Sequence, residues 1–131
     1  MADKKLKILI LDDEEGIVNY MGKILMLKGY DTVTACEGNA AVRLFEEHRP
    51  DICILDVHLT DSVIDGVEVL EKIKAIDTKS VCIMVTRITD PEKVSRAREL
   101  GASRYLLKPI DTKDMITVVT ETAQELKQEQ A

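Results

Sequence analysis

Lys7-Ile8-Leu9-Ile10-Leu11-Asp12-Asp13 is the stretch whose reading decides the fold. Five residues of mostly branched apolar character end abruptly in two acids. A continuous apolar run of this length fits a strand covered on both faces, as in parallel sheets. Two more runs end in the same way: Ile52-Cys53-Ile54-Leu55 in Asp56, and Tyr105-Leu106-Leu107 in Lys108. Val81–Val85 is a further buried run, closed by Thr86. Ions at the tips of buried strands are costly unless paired or bound to a metal. Several such tips at one sheet edge therefore predict a shared site, where open parallel sheets bind ligands.

Between these runs lie amphipathic stretches. Ile17, Met21, Ile24 and Leu25 share one helical face, and Gly29 suits the helix stop. Asp31–Ala35 reads as a weaker strand. Asn39–His48 reads as a helix with Ala41, Leu44 and Phe45 inward, followed by Pro50. Val67–Ile76 is helical, with Lys74 the outlier on the stripe of Val67, Leu70 and Ile73. Asp90-Pro91 opens a helix to Leu100, with Asp90 as the expected cap, and Gly101 ends it. Its apolar stripe is the poorest, chiefly Val94 and Ala97, so it should be the easiest element to shift. Arg104–Leu107 is the fifth strand. Asp111 opens a last helix whose inner face is Met115, Val118, Val119, Thr122 and Leu126, and the polar tail KQEQA should fray. Five alternating βα units predict an α/β fold: a parallel sheet, right-handed crossovers and helices on both faces.

The bulk numbers narrow the function. A length of 131 residues suggests a single domain spanning 1–131. Net charge −6 and 3% aromatic residues argue against direct nucleic-acid binding and against anionic membranes. No apolar run approaches a membrane span, and the basic opening MADKKLK lacks the apolar core of a secretory signal. Cys36, Cys53 and Cys82 show no paired spacing. Cys53 and Cys82 read as buried small hydrophobes, and a reducing cytoplasm fits best.

The joint set is Asp12, Asp13, Asp56, Thr86 and Lys108. Hard carboxylate oxygens suit Mg²⁺, which takes one or two carboxylates and keeps several waters. Three close carboxylates repel, by about 4 kcal/mol per pair at about 4 Å and an effective dielectric near 20. A divalent cation offsets that cost. A lysine and a hydroxyl can then hold oxygens of a phosphoryl group placed on a carboxylate.

The marks ILILDDE, DICILD, Asp65-Gly66, IMVT and YLLKP occur in that order over nearly the whole chain. By these the sequence resembles the receiver domains of response regulators, the phospho-acceptor modules of two-component signalling, chemotaxis regulators among them. The resemblance implies a flavodoxin-like, doubly wound five-stranded sheet of order 2-1-3-4-5 with five helices. It implies Asp56 as the phosphorylated residue, and Mg²⁺ held by Asp13 directly, Asp12 mainly through water, Asp56, and the backbone carbonyl of His58. Thr86 and Lys108 would contact the phosphoryl oxygens. Tyr105 would be the aromatic that turns inward on activation. The Lys108-Pro109 bond is often cis in the family.

The implied donor is a histidine kinase or phosphotransfer protein, and the implied output is a downstream effector or a fused output domain. The surface formed by the Asp90–Leu100 helix, the fifth strand and the last helix would change on phosphorylation, which also allows a phosphorylation-dependent dimer. The domain would be no enzyme beyond intrinsic autophosphorylation and autodephosphorylation. Two other readings are a receiver-like interaction module without phosphorylation, and an aspartyl-phosphate phosphohydrolase. The latter typically has a second acid two residues after the nucleophile, where this chain has His58.

Three departures from the family pattern stand out. Thr60 stands where proline is common. The stretch from Asp56 to Gly66 is about two residues longer than usual. Arg87 follows Thr86 where a small residue is usual, a possible modulator that would pair with an acid or shield the acyl-phosphate.

Overall fold

The computed structural model describes residues 5–87 and 90–130. The start of the basic opening, Met1–Lys4, and the terminal Ala131 lie outside the described residues. Strands and helices alternate: β1 (Lys7–Leu11), α1 (Glu15–Leu27), β2 (Asp31–Ala35), α2 (Gly38–His48), β3 (Ile52–Asp56), α3 (Gly66–Ile76), β4 (Val81–Thr86), α4 (Pro91–Glu99), β5 (Arg104–Leu107) and α5 (Thr112–Gln130). The five strands form one parallel sheet in the order β2-β1-β3-β4-β5. This is the flavodoxin-like order.

Side-chain alternation along the strands divides the core into two layers. Ile8, Ile10, Ile52, Ile54, Ile83, Val85 and Leu106 pack with Val18, Met21 and Leu25 of α1 and Met115, Val119 and Ala123 of α5. Leu9, Leu11, Cys53, Leu55, Cys82 and Met84 face the other way, onto Ala41 and Phe45 of α2 and Val69, Leu70 and Ile73 of α3. The central strands are apolar on both faces because both faces are covered. Edge strand β2 is only half-covered, which explains its weaker signal. Gly29 adopts φ 99°, the left-handed conformation expected after α1.

Several details differ from the sequence expectation. Asp56 is the last residue of β3 and Thr86 the last of β4, so both belong to strands. Leu44 is half-buried, and Ala123 joins the inner face of α5. The polar tail stays helical through Gln130. Asp90 makes no side-chain cap hydrogen bond to α4. Lys74 leaves the apolar stripe because its ammonium serves the next turn, donating to the carbonyl oxygens of Ser80 and Thr78.

Helix α4 is the least embedded, with Ala97 its one fully buried side chain. An alanine contributes far less than the roughly 1.5–3 kcal/mol of each buried Val, Leu or Met that anchors α1. Charged pairs also reach from α4 to its neighbours, but side chains this exposed add little to stability. Lys93 Nζ lies 3.1 Å from Asp65 Oδ2, and Arg96 Nη2 lies 2.9 Å from Glu71 Oε2.

Candidate functional site

The parallel register brings the C-terminal ends of β1, β3, β4 and β5 to one edge, and the charged side chains meet there. Asp12 and Asp56 are buried, with 2% and 0% exposure, and Asp13 is half-buried. One carboxylate oxygen from each lies within 4.8 Å of the others. Asp12 Oδ1 accepts from the Glu14 N–H at 2.9 Å, and Asp56 Oδ1 from the His58 N–H at 3.1 Å. Lys108 reaches in from the end of β5, with Nζ 2.7 Å from Asp56 Oδ2 and 3.4 Å from Asp12 Oδ2. The Lys108-Pro109 peptide is cis.

The lysine answers much of the repulsion among the carboxylates. Burial is the largest influence on Asp56 and pushes its carboxyl up to about 6, although Lys108 and the His58 N–H pull the other way. Lys108 is raised in turn: burial opposes this, but the hydrogen bond and charge of Asp56 and the charge of Asp12 outweigh it. Asp13 is held below the usual carboxylate range despite its burial, chiefly by hydrogen bonding from Thr60. Three carboxylates against one ammonium leave a net negative cluster of hard oxygens, the donor chemistry that suits Mg²⁺.

Other expected residues surround this core. Thr86 is 2% exposed, and its hydroxyl donates to the Arg87 carbonyl oxygen at 3.2 Å rather than to an acid. Tyr105 is half-buried, and its hydroxyl is enclosed without a hydrogen-bond partner among the described residues. Arg87 is exposed and makes no ion pair among the described residues. It lines a cavity of about 480 Å³ with Asp12, Lys108, Ile17, Tyr20 and Met115. The His58 ring turns away from the acids toward α4. Its Nε2 is 2.9 Å from Asp90 Oδ2, without hydrogen-bond alignment.

The long β3–α3 loop is fixed at several points. Ser62 Oγ accepts from the Gly38 N–H at 2.8 Å and donates to the Ile64 carbonyl oxygen at 2.6 Å. The Thr60 N–H donates to Asp13 Oδ2 at 2.9 Å. At the loop's end, a Cβ on Gly66 would lie 1.9 Å from the Asp56 carbonyl oxygen. Only glycine lets α3 start so close behind Asp56. The Asp65-Gly66 pair is thus explained twice, since Asp65 also caps α3 by accepting from the Glu68 N–H at 2.9 Å. Sequence reasoning missed the Thr60 N–H and the His58–Asp90 approach. A backbone donor leaves no side-chain signature, and the Asp90 spacing looked like a helix cap.

Comparisons with known proteins point to one family. The family model described as the response regulator receiver domain matches residues 8–120. Sporulation initiation phosphotransferase F of Bacillus subtilis is 33% identical over 105 residues, covering 80% of this chain and 83% of that protein. Regulatory protein AtoC of Escherichia coli is 28% identical over 118 residues, covering 90% of this chain but 25% of AtoC. Among solved structures, a CheY-like response regulator receiver domain protein from Methanospirillum hungatei superposes with a TM-score of 0.89 at 27% identity, covering 96% of this chain and 99% of that one.

Proposed function

This chain belongs to the response regulator receiver domain family, and we propose that residues 1–131 form one phosphorylation-controlled switch with Asp56 as the acceptor. One observation carries the proposal: a fully buried carboxylate ends β3 with an ammonium at 2.7 Å and two further carboxylates beside it. The donor is a phosphohistidine of a kinase or phosphotransfer protein. An Asp56 carboxylate oxygen forms the new bond to phosphorus as the phosphorus–nitrogen bond of the donor breaks, and the imidazole leaves. With a carboxyl near 6, Asp56 is mostly ionised at neutral pH and available as nucleophile.

Asp12, Asp13, Asp56 and the His58 carbonyl would hold Mg²⁺. When bound, Mg²⁺ supplies charge neutralisation for the acids and for the transferred phosphoryl oxygens. Lys108 exchanges its Asp56 partner for a phosphoryl oxygen. The Thr86 hydroxyl, now on the Arg87 carbonyl, swings to another. Tyr105 then moves into the space Thr86 leaves, and α4, β5 and α5 present a changed face to a downstream effector, an output domain or a second copy. Phosphorylation biases a pre-existing equilibrium between the two arrangements.

The test is incubation with acetyl phosphate and Mg²⁺, followed by intact-mass measurement and mapping of the labile adduct. The expected result is one phosphoryl group on Asp56 and none on Asp56→Asn. Label on Asp56→Asn at the wild-type level overturns the assignment. Continuous phosphate release without a stable adduct points instead to a phosphohydrolase.

A further inference from the structure

The β3–α3 loop passes over the acidic cluster, and its anchors leave Thr60 little freedom. On one side the His58 N–H is tied to Asp56 Oδ1. On the other, Ser62 bridges the Gly38 N–H and the Ile64 carbonyl oxygen. Ile64 packs so closely on Gly38 that a Cβ there would lie 2.5 Å from its Cγ1. Asp61 holds φ 57°, a left-handed turn immediately after Thr60. Between these fixed points the Thr60 N–H meets Asp13 Oδ2 at 2.9 Å.

Asp13 is the one acid of the cluster that Lys108 does not pair with. Its carboxylate lies beside those of Asp12 and Asp56, and the Thr60 N–H fixes one of its oxygens there. A hydrogen bond to an ionised acceptor is among the stronger kinds. Partners behind metal ligands orient them, and their loss typically weakens metal binding about tenfold or more.

We propose that the Thr60 backbone N–H is a positioning group for divalent-cation binding, holding Asp13 in its ligating orientation before the cation arrives. This rests on the reading of the acidic cluster as the Mg²⁺ site. The longer loop, with a residue other than proline at 60, serves this purpose, because proline has no N–H to give.

The experiment compares Thr60→Ala, which keeps the N–H, with Thr60→Pro, which removes it. Calorimetric Mg²⁺ titration should show binding about tenfold weaker in Thr60→Pro than in Thr60→Ala. Phosphorylation by acetyl phosphate should need correspondingly more Mg²⁺ in Thr60→Pro but reach the same rate at saturation. A metal-free measurement covers the case in which Thr60→Pro misfolds. Exchange of the Thr60 amide should accelerate about tenfold in Asp13→Ala relative to wild type. Equal Mg²⁺ affinity in Thr60→Pro and Thr60→Ala, or unchanged Thr60 exchange in Asp13→Ala, overturns the positioning role and leaves the metal site standing. A wild-type protein that does not bind Mg²⁺ overturns both.

Discussion

Replacing Asp56 by Asn should stabilise the metal-free protein, and the gain should grow with pH. Burial raises the Asp56 carboxyl from 3.8 to about 6 in the folded protein. Between those values the folded state binds more protons than the unfolded chain, so this group's contribution falls as pH rises. At about 1.36 kcal/mol per unit, the full penalty above pH 6 is about 3 kcal/mol. Asp56 has no exposure, so solvent screening takes little from that figure. About 2 kcal/mol of it should appear between roughly pH 4.5 and pH 7.5.

Asparagine does not titrate, so the stability difference between Asp56→Asn and wild type isolates this term. Asp13, held low, acts in the opposite sense: its contribution is present above its unfolded value and lost as pH falls. It is common to both proteins and largely cancels. The Lys108 shift acts only in alkaline solution. Urea denaturation in excess chelator across this range is the assay. A difference that stays flat, or that favours wild type more strongly as pH rises, refutes the account of Asp56 as a carboxylate held at a cost.

Mg²⁺ should raise the melting temperature of wild type by binding the folded state, and Asp13→Ala should lose most of that response in a thermal-shift titration. Gly66→Ala should destabilise by about 3 kcal/mol, read from the urea midpoint, because its methyl would meet the Asp56 carbonyl oxygen at 1.9 Å. Arg87→Ala should accelerate loss of the phosphoryl group from purified phospho-protein if the guanidinium shields the site mouth; unchanged or slower decay counts against shielding. Thr86→Ala should accept the phosphoryl group yet show a smaller change in amide exchange across α4, β5 and α5 when treated with beryllofluoride.

The fold was largely legible in the sequence because its signals are local. Ile8–Leu11, Ile52–Leu55 and Val81–Val85 are short apolar runs, as a doubly covered strand requires, and each stops where a polar side chain stands at the edge. The acids were legible for the same reason, as charges where burial makes charge costly. The pairing of Lys108 was harder to read. A lysine at a strand tip suggests a phosphoryl contact, but its position in the sequence does not reveal that its ammonium meets Asp56 and Asp12. Asp90 before Pro91 matches a helix cap, and the His58 ring 2.9 Å away depends on how two loops converge across distant sequence. The Thr60 hydrogen bond also arises from the loop's path and would be offered by almost any residue there.

Helix α4 buries only Ala97 fully, and its pairs from Lys93 and Arg96 to the acids of neighbouring elements are exposed enough to add little. Most of its nine residues can therefore change without disturbing the folding of the rest. A lineage can redraw this surface while the buried carboxylates and lysine of the sheet edge stay unchanged. It is the face on which selection for stability has least to say.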